Sequence, residues 1–268
     1  MLGAVMDLVK SAEVFHFVAG KISAGQKAIV ANHNLHSLYL MRRLPEVRAF
    51  FAKADLVEVD SIPLLFWARL IGRPSRRFHR CTYLDWREEL WSHAAANGWR
   101  VFFLGAEPGV GERAADKIRE CWPQVQLSTH HGYFDTESGS VENDAVLETL
   151  AAYRPHILLV GMGMPLQEIW TLRNYDRLPN CVVFTVGGAF DYEAGSQAIA
   201  PRWIGRLGGE WLFRLLANPV RMFPRYCIEP WSLCGAALGD IATAIYDRLR
   251  PFKAAAKAGG VQSAPSDI

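Results

Sequence analysis

Two short apolar runs, Ile157–Val160 and Cys181–Val186, each end at a glycine. They are rich in β-branched residues and too short for helices. They therefore read as strands buried on both faces, the kind a parallel sheet uses. Each runs into a glycine loop: Gly161-Met-Gly-Met-Pro-Leu-Gln-Glu168 after the first, Gly187-Gly-Ala-Phe-Asp191 after the second. Glycine at a strand end lets backbone N–H groups come close to a ligand, and ligands of open α/β sheets sit outside those carboxyl ends. Gln167, Glu168 and Asp191 add polar groups beside Gly163, Gly187 and Gly188, which makes both loops candidate ligand contacts. The plainer alternative is a pair of left-handed turns with no ligand.

The rest of the chain alternates in the same way. Helical spacing at Ala12–Ile22 precedes a strand at Ala28–Ala31, and a helix over Ser37–Lys53 precedes a strand at Leu56–Val59. Helices follow at Leu64–Ile71 and up to Asn97, then a strand at Arg100–Leu104, a helix ending at Cys121, a strand at Gln124–Ser128 and a helix at Asn143–Tyr153. This alternation predicts an α/β fold, a Rossmann-like mainly parallel sheet with helices on both faces. The expected division is a catalytic core over 1–198, a C-terminal helical appendage over 199–252 that binds membrane, and a tail over 253–268 too polar to pack.

Composition narrows the partners. The chain of 268 residues carries a net charge of only +2, which argues against nucleic acid. Its five scattered cysteines form no C-x-x-C pair, which disfavours a disulfide framework or zinc site and fits a reducing cytosol. MLGAVMDLVK lacks the pattern of a signal peptide, and no run approaches the ~18 apolar residues of a spanning helix. The expectation is a cytoplasmic protein whose membrane contact is peripheral.

Single residues then stand out. Asp60 closes the Leu56–Val59 strand, where a carboxylate is either a general base in the ligand crevice or a maker of the Asp-Ser-Ile-Pro turn. His33, His36, His130 and His131 have no acidic partner at ligand spacing and read as ordinary loop histidines, so no metal is expected. Gly105 opens Gly-Ala-Glu-Pro-Gly-Val-Gly111 ahead of a helix, a turn that suits phosphate but lacks the P-loop lysine. Pro201–Tyr226 interleaves Arg202, Arg206, Arg214, Arg221 and Arg225 with Trp203, Trp211, Phe213, Phe223 and Tyr226 against one acid, Glu210. That is the make-up of an interfacial element, with a helix packed on the core as the alternative.

GMGMPLQEIW followed by VGGAFDYEAG resembles the WecG/TagA/CpsF family of bacterial glycosyltransferases, and the resemblance extends from about Ala12 to Tyr226. It implies an inverting, metal-independent transferase with no cofactor, a UDP-sugar donor and a polyprenyl-diphosphate-linked glycan acceptor at the anionic inner face of the membrane. Asp60 would take the acceptor proton, and Arg214, Arg221 and Arg225 would offset charge on the leaving UDP. Arg80 would act near Asp60 or the donor phosphates. Asn32 and Asn34 would meet sugar hydroxyls, or else cap the strand end. Tyr133, in Gly132-Tyr-Phe134, would stack on the base or close the nucleotide pocket, and Phe190 belongs to the matched Gly-Gly-Ala-Phe-Asp segment. The chain departs from the family pattern with Asn32 for threonine, Ser61 for the glycine after the catalytic aspartate, Tyr83 for glycine, Ile199 for arginine and Gly209 for leucine. The departures at Asn32 and Ser61 lean the donor toward glucose in a β-1,4 linkage, as in xanthan-type exopolysaccharide assembly. The alternatives are an N-acetylmannosamine or mannosaminuronate transferase of the teichoic-acid or enterobacterial-common-antigen type, and a non-catalytic UDP-sugar-binding protein at the membrane surface. Homo-oligomerisation is left open.

Overall fold

The computed structural model describes residues 1–197 and 209–249. Six strands, β1 (Ala28–His33), β2 (Leu56–Val59), β3 (Arg100–Gly105), β4 (Gln126–His130), β5 (Ile157–Gly161) and β6 (Val182–Thr185), form one sheet in the order β2-β1-β6-β5-β3-β4. Every pairing is parallel. Alternate residues of each central strand feed opposite cores. Val101, Phe103, Ile157 and Leu159 face α1 (Ser11–Ser23), α5 (Tyr83–Asn97), α6 (Val110–Cys121) and α9 (Ala189–Ala194). Phe102, Leu104, Leu158 and Val160 face α7 (Val141–Tyr153) and α8 (Leu166–Asn174). The outer strands continue that second face against α2 (Leu35–Arg43), α3 (Pro45–Lys53) and α4 (Ile62–Leu70). The period of two in a strand and the apolar stripe of each helix explain both layers. The fold is the expected Rossmann-like α/β sandwich.

One expected helix is two. The stretch expected to be helical from Ser37 to Lys53 breaks at Leu44, which is extended with φ −114° and ψ 111°, and α3 starts afresh with Pro45 at its first turn. Proline has no N–H to donate and pushes the residue before it out of helical geometry, so it begins helices rather than continuing them.

The C-terminal part consists of α10 (Glu210–Ala217), α11 (Pro219–Phe223), two tight helical turns and α12 (Cys234–Leu249). It is packed onto the α/β core. The Arg42 guanidinium donates to the Ser232 carbonyl at 2.8 Å, and Leu233 joins the core beneath α2 and α4. Asp240 Oδ2 accepts from the Leu2 backbone N–H at 2.7 Å and from Trp67 Nε1 at 2.9 Å. The boundary expected near residue 198 and the tail over 253–268 lie outside the described residues.

At the carboxyl edge the backbones of three strands nearly touch. Gly105 of β3 is paired with Gly161 of β5, and a Cβ on Gly105 would run into the Gly161 backbone. A Cβ on Gly161 would stand 2.6 Å from the Gly187 carbonyl oxygen and 2.7 Å from the Phe103 ring. Because the obstacles are backbone and a packed ring, Gly161→Ala should destabilise the protein by about 1–3 kcal/mol in urea unfolding. A change below roughly 0.5 kcal/mol would mean that the strand ends yield easily.

Candidate active site

Asp60 follows β2 directly, half-buried, with its backbone N–H donating to the His33 carbonyl at 3.0 Å. A parallel bridge between Val59 and Arg80 brings the Arg80 loop alongside. Arg80 does not present an open fork. Its Nε and one terminal nitrogen donate to the two oxygens of Asp85, each at 3.0 Å, and Thr82 donates to Asp85 at 2.8 Å. A carboxylate of its own loop thus takes the bidentate geometry of Arg80 that a phosphate would use. Tyr83, the residue standing where the family has glycine, is buried and donates its hydroxyl to Glu193 at 2.9 Å, which ties α5 to α9. Glu58 lies two residues before Asp60, on the same side of β2, fully buried, with burial and then the Asp60 charge holding its carboxyl well above the ordinary range. Sequence reading passed over Glu58, although an acid inside Leu56-Val-Glu-Val59 is a visible signal.

The two asparagines differ. Asn32 is half-buried and donates from Nδ2 to the Thr185 carbonyl at 2.7 Å, which stitches β1 to β6. Asn34 is the N-cap of α2: its Oδ1 accepts from the Ser37 N–H at 3.0 Å, and Ser37 Oγ returns a contact to the Asn34 N–H. The expectation of Asn34 as a sugar contact gives way to the capping alternative, because its acceptor oxygen is spent on a helix end. His33 is buried, stacked on Phe51 at 3.9 Å and hydrogen-bonded to Ser37 at 2.9 Å, and burial pulls its imidazole down to about 3. It is a neutral core residue at physiological pH.

The glycine loops share one side chain. Gln167 is buried, and its Oε1 accepts from the Gly163 N–H at 3.3 Å and from the Gly187 N–H at 3.1 Å. Its Nε2 donates to Glu168 Oε1 at 2.7 Å. One carbonyl oxygen therefore fixes both loops, and Gln167 acts by positioning. Glu168 is also buried, its Oε2 has no hydrogen-bond partner, and burial raises its carboxyl to about 7. Gly188 and Asp191 face each other: a Cβ on Gly188 would stand 3.1 Å from Asp191 Oδ2. Phe190 is corrected from substrate contact to core residue. It is fully buried and stacked on Phe103 at 3.6 Å, because the first turn of α9 directs it down onto β3. Gly163 and Gly187 have φ of +82° and +56°, conformations that only glycine takes without strain.

On the far side of the edge, the Ala106 carbonyl accepts from the Gly132 N–H at 2.9 Å, and Tyr133 stands 66% exposed beside that junction. Ala106 has φ +57°, unusual for a residue with a Cβ, and its N–H donates to the Gly161 carbonyl at 3.3 Å. Nothing in the sequence distinguishes Ala106 from its neighbours.

The C-terminal arginines return to this edge. The Arg214 guanidinium lies over the Tyr192 ring of α9 at 5.9 Å, and the Arg225 charge favours the ionised form of Glu168 at the start of α8. Trp211 packs edge-on against Tyr226 at 6.2 Å. Trp211 and Phe223 are exposed and Phe213 is half-buried. Arg202, Trp203, Arg206 and the side chain of Arg221 lie outside the described residues. The carboxyl edge carries a carboxylate after β2, two glycine loops pinned by Gln167, an exposed tyrosine after β4 and two arginines of the C-terminal part. That set suits a negatively charged ligand with a reacting hydroxyl nearby. Among the described residues no group of three histidine, cysteine or acidic side chains is arranged to hold a metal.

The family model described as the glycosyl transferase WecG/TagA/CpsF family matches residues 1–244. The N-acetylglucosaminyldiphosphoundecaprenol N-acetyl-beta-D-mannosaminyltransferase of Staphylococcus aureus strain MRSA252 is 27% identical over 206 residues, covering 73% of this chain and 78% of that protein. The protein of the same name from strain NCTC 8325 / PS 47 is 26% identical with the same coverage.

Glu168 gives the site a pH signature. Its carboxyl holds its proton more tightly folded, at about 7, than at its ordinary 4.5. It therefore contributes stability in full below the ordinary value and loses that contribution as pH rises through the folded one. Glu168→Gln keeps an acceptor for Gln167 and cannot ionise. Compared with the native chain, it should gain on the order of 3 kcal/mol of unfolding free energy between pH 4 and 8. Parallel stability–pH curves for the two proteins would show that Glu168 ionises freely.

Proposed function

The chain belongs to the glycosyl transferase WecG/TagA/CpsF family, and from that premise we propose that it transfers a hexose from a UDP-sugar, with inversion, to a sugar carried on a polyprenyl diphosphate. Arg214 and Arg225 carry the reading, since the first lies over Tyr192 of α9 and the charge of the second is felt at Glu168 of α8. A leaving nucleoside diphosphate held by the glycine loops would meet cations where other transferases use a divalent metal. Asp60 is read as the general base. It removes the acceptor hydroxyl proton as that oxygen forms a bond to the anomeric carbon and the bond from that carbon to UDP breaks. Arg80, held by Asp85, is read as fixing the loop that flanks Asp60. Asn32 and Tyr133 remain candidate contacts to the sugar and the base, and Arg221 a third cation.

Two readings of the donor stand. The departures at Asn32 and Ser61 favour glucose. The name of the staphylococcal relatives favours N-acetylmannosamine, with a diphosphoundecaprenol-linked N-acetylglucosamine as acceptor. Mass spectrometry of products from a panel of UDP-sugars separates the two. The interleaved aromatics and arginines of Pro201–Tyr226 are read as a contact with an anionic membrane, which makes the enzyme peripheral at the inner face. No helix among the described residues is long and apolar enough to cross a membrane.

Asp60→Asn should keep UDP affinity within a few-fold and lower kcat by roughly 10²–10⁴, the usual worth of a general base. Near-native turnover would remove Asp60 from the mechanism. Arg225→Ala should depress kcat on a short, soluble acceptor, while the native enzyme keeps full turnover in EDTA. Activity lost in EDTA and restored by magnesium or manganese would replace the arginine mechanism with a metal.

A further inference from the structure

The edge of the sheet opposite the glycine loops holds a cavity of about 460 Å³, room for a small organic molecule rather than a lone ion. Arg100 at the start of β3, His156 just before β5, Arg154 after α7 and Arg177 after α8 all line it. Among the described residues no acid does. The Arg100 guanidinium donates to the Tyr153 carbonyl at 3.2 Å and to the Arg154 carbonyl at 2.7 and 2.9 Å. It thereby offsets the negative end of α7, which would otherwise repel an anion. Arg177 gives one terminal nitrogen to Asp144 at 2.8 Å. Arg154 is exposed and makes no ion pair among the described residues.

Two local details agree with an anionic occupant. His156 Nδ1 accepts from the Arg100 backbone N–H at 2.9 Å, so the neutral ring carries its proton on Nε2 and is itself a donor. Burial, and then the Arg100 charge, lower its pKa, which keeps the ring neutral at physiological pH. Arg154 is left-handed, with φ 54° and ψ 60°, at a helix end where glycine or asparagine is usual. Such strain in a residue with a Cβ recurs at ligand sites. The rest of the lining includes the apolar Ile22, Pro155 and Pro179. A guanidinium plane meets a phosphate edge with two parallel hydrogen bonds. A phosphate monoester keeps three acceptor oxygens and close to two charges, enough for several cations at once, whereas a carboxylate offers one edge and one charge.

We propose that this cavity binds a phosphate monoester with a small organic body, a sugar phosphate or a nucleoside monophosphate. Arg154, Arg177 and His156 take the phosphate, and Ile22, Pro155 and Pro179 take the body. The cavity lies at the other end of the strands from Asp60 and the glycine loops. Its ligand is therefore neither the donor nor the acceptor of the transfer, and the site does not rest on the transferase reading.

The test is isothermal titration calorimetry of the full chain with glucose 1-phosphate, uridine monophosphate and inorganic phosphate at one ionic strength. The native protein is compared with Arg154→Ala combined with Arg177→Ala. Both side chains are exposed, so the variant should keep its melting temperature and its turnover. The native chain should bind one of the two esters more tightly than inorganic phosphate, and the preferred ester tells the two sources apart. The variant should bind that ester roughly tenfold more weakly for each arginine lost. Phenylglyoxal labelling read by peptide mass spectrometry locates the site: the preferred ester should protect Arg154 and Arg177 of the native chain. Equal affinity of native and variant overturns the proposal. So does protection confined to Arg214 and Arg225, which would assign the ester to the strand-end crevice. Inorganic phosphate bound as tightly as both esters overturns it too, since the cavity would then hold an ion only. A native chain that binds the ester with Arg154 and Arg177 protected, but turns over no UDP-sugar, overturns the transferase reading and leaves this site standing.

Discussion

The absence of a side chain at Gly161 sets the geometry of the whole carboxyl edge. β3, β5 and β6 end so close together that one methyl group would collide with the Gly187 carbonyl and the Phe103 ring. Phe103 is in turn held by the stacked ring of Phe190, so the collision has no soft partner. From this contact the rest follows. The two loops leave the sheet in parallel and near enough that one buried oxygen, Gln167 Oε1, accepts from an N–H of each. The result is a pair of loops held in place by one buried side chain, with the Gly163 and Gly187 N–H groups spent on it.

A second consequence is the buried acid beneath the loops. Glu168 satisfies Gln167 with one oxygen and leaves the other without a hydrogen bond, in a site where the Arg225 charge is felt. The C-terminal part is thus coupled to the glycine loops through electrostatics, and to the body of the fold through Asp240, Ser232 and Leu233. Sequence reading treated it as an appendage. In the structure, Leu233, in the turn before α12, enters the core beside α2 and α4, and Ala236 and Ala237 of α12 pack against that cluster.

The sites where local sequence logic and structure part company are informative. Asn34 is a helix cap because the chain turns from β1 into α2 at once, and the first N–H groups of that helix need an acceptor. Phe190 belongs to a glycine-rich motif yet is core, because residue 190 falls on the inner face of α9. Arg80 comes beside Asp60, but Asp85 is five residues downstream and takes its fork first. In each case the residue type was legible and its partner was not.

What the sequence determined by itself is the class of fold and the edge where chemistry collects. Short apolar runs ending in glycine can only be buried strands with bare carboxyl ends, and alternation with helices of amphipathic spacing leaves a parallel sheet as the simplest packing. Local rules also marked Gly163 and Gly187 as backbone turns. The tertiary structure alone decided the strand order, and with it that Gly105 and Gly161 pair while Gly187 crowds them. It alone set Gln167 across two loops twenty residues apart, buried Glu58 beside Trp86, and joined Asp240 of α12 to Trp67 of α4. The physical reason is that composition and period report how a residue meets solvent, whereas partners far along the chain are chosen by which surfaces the packed sheet brings within a hydrogen bond of each other.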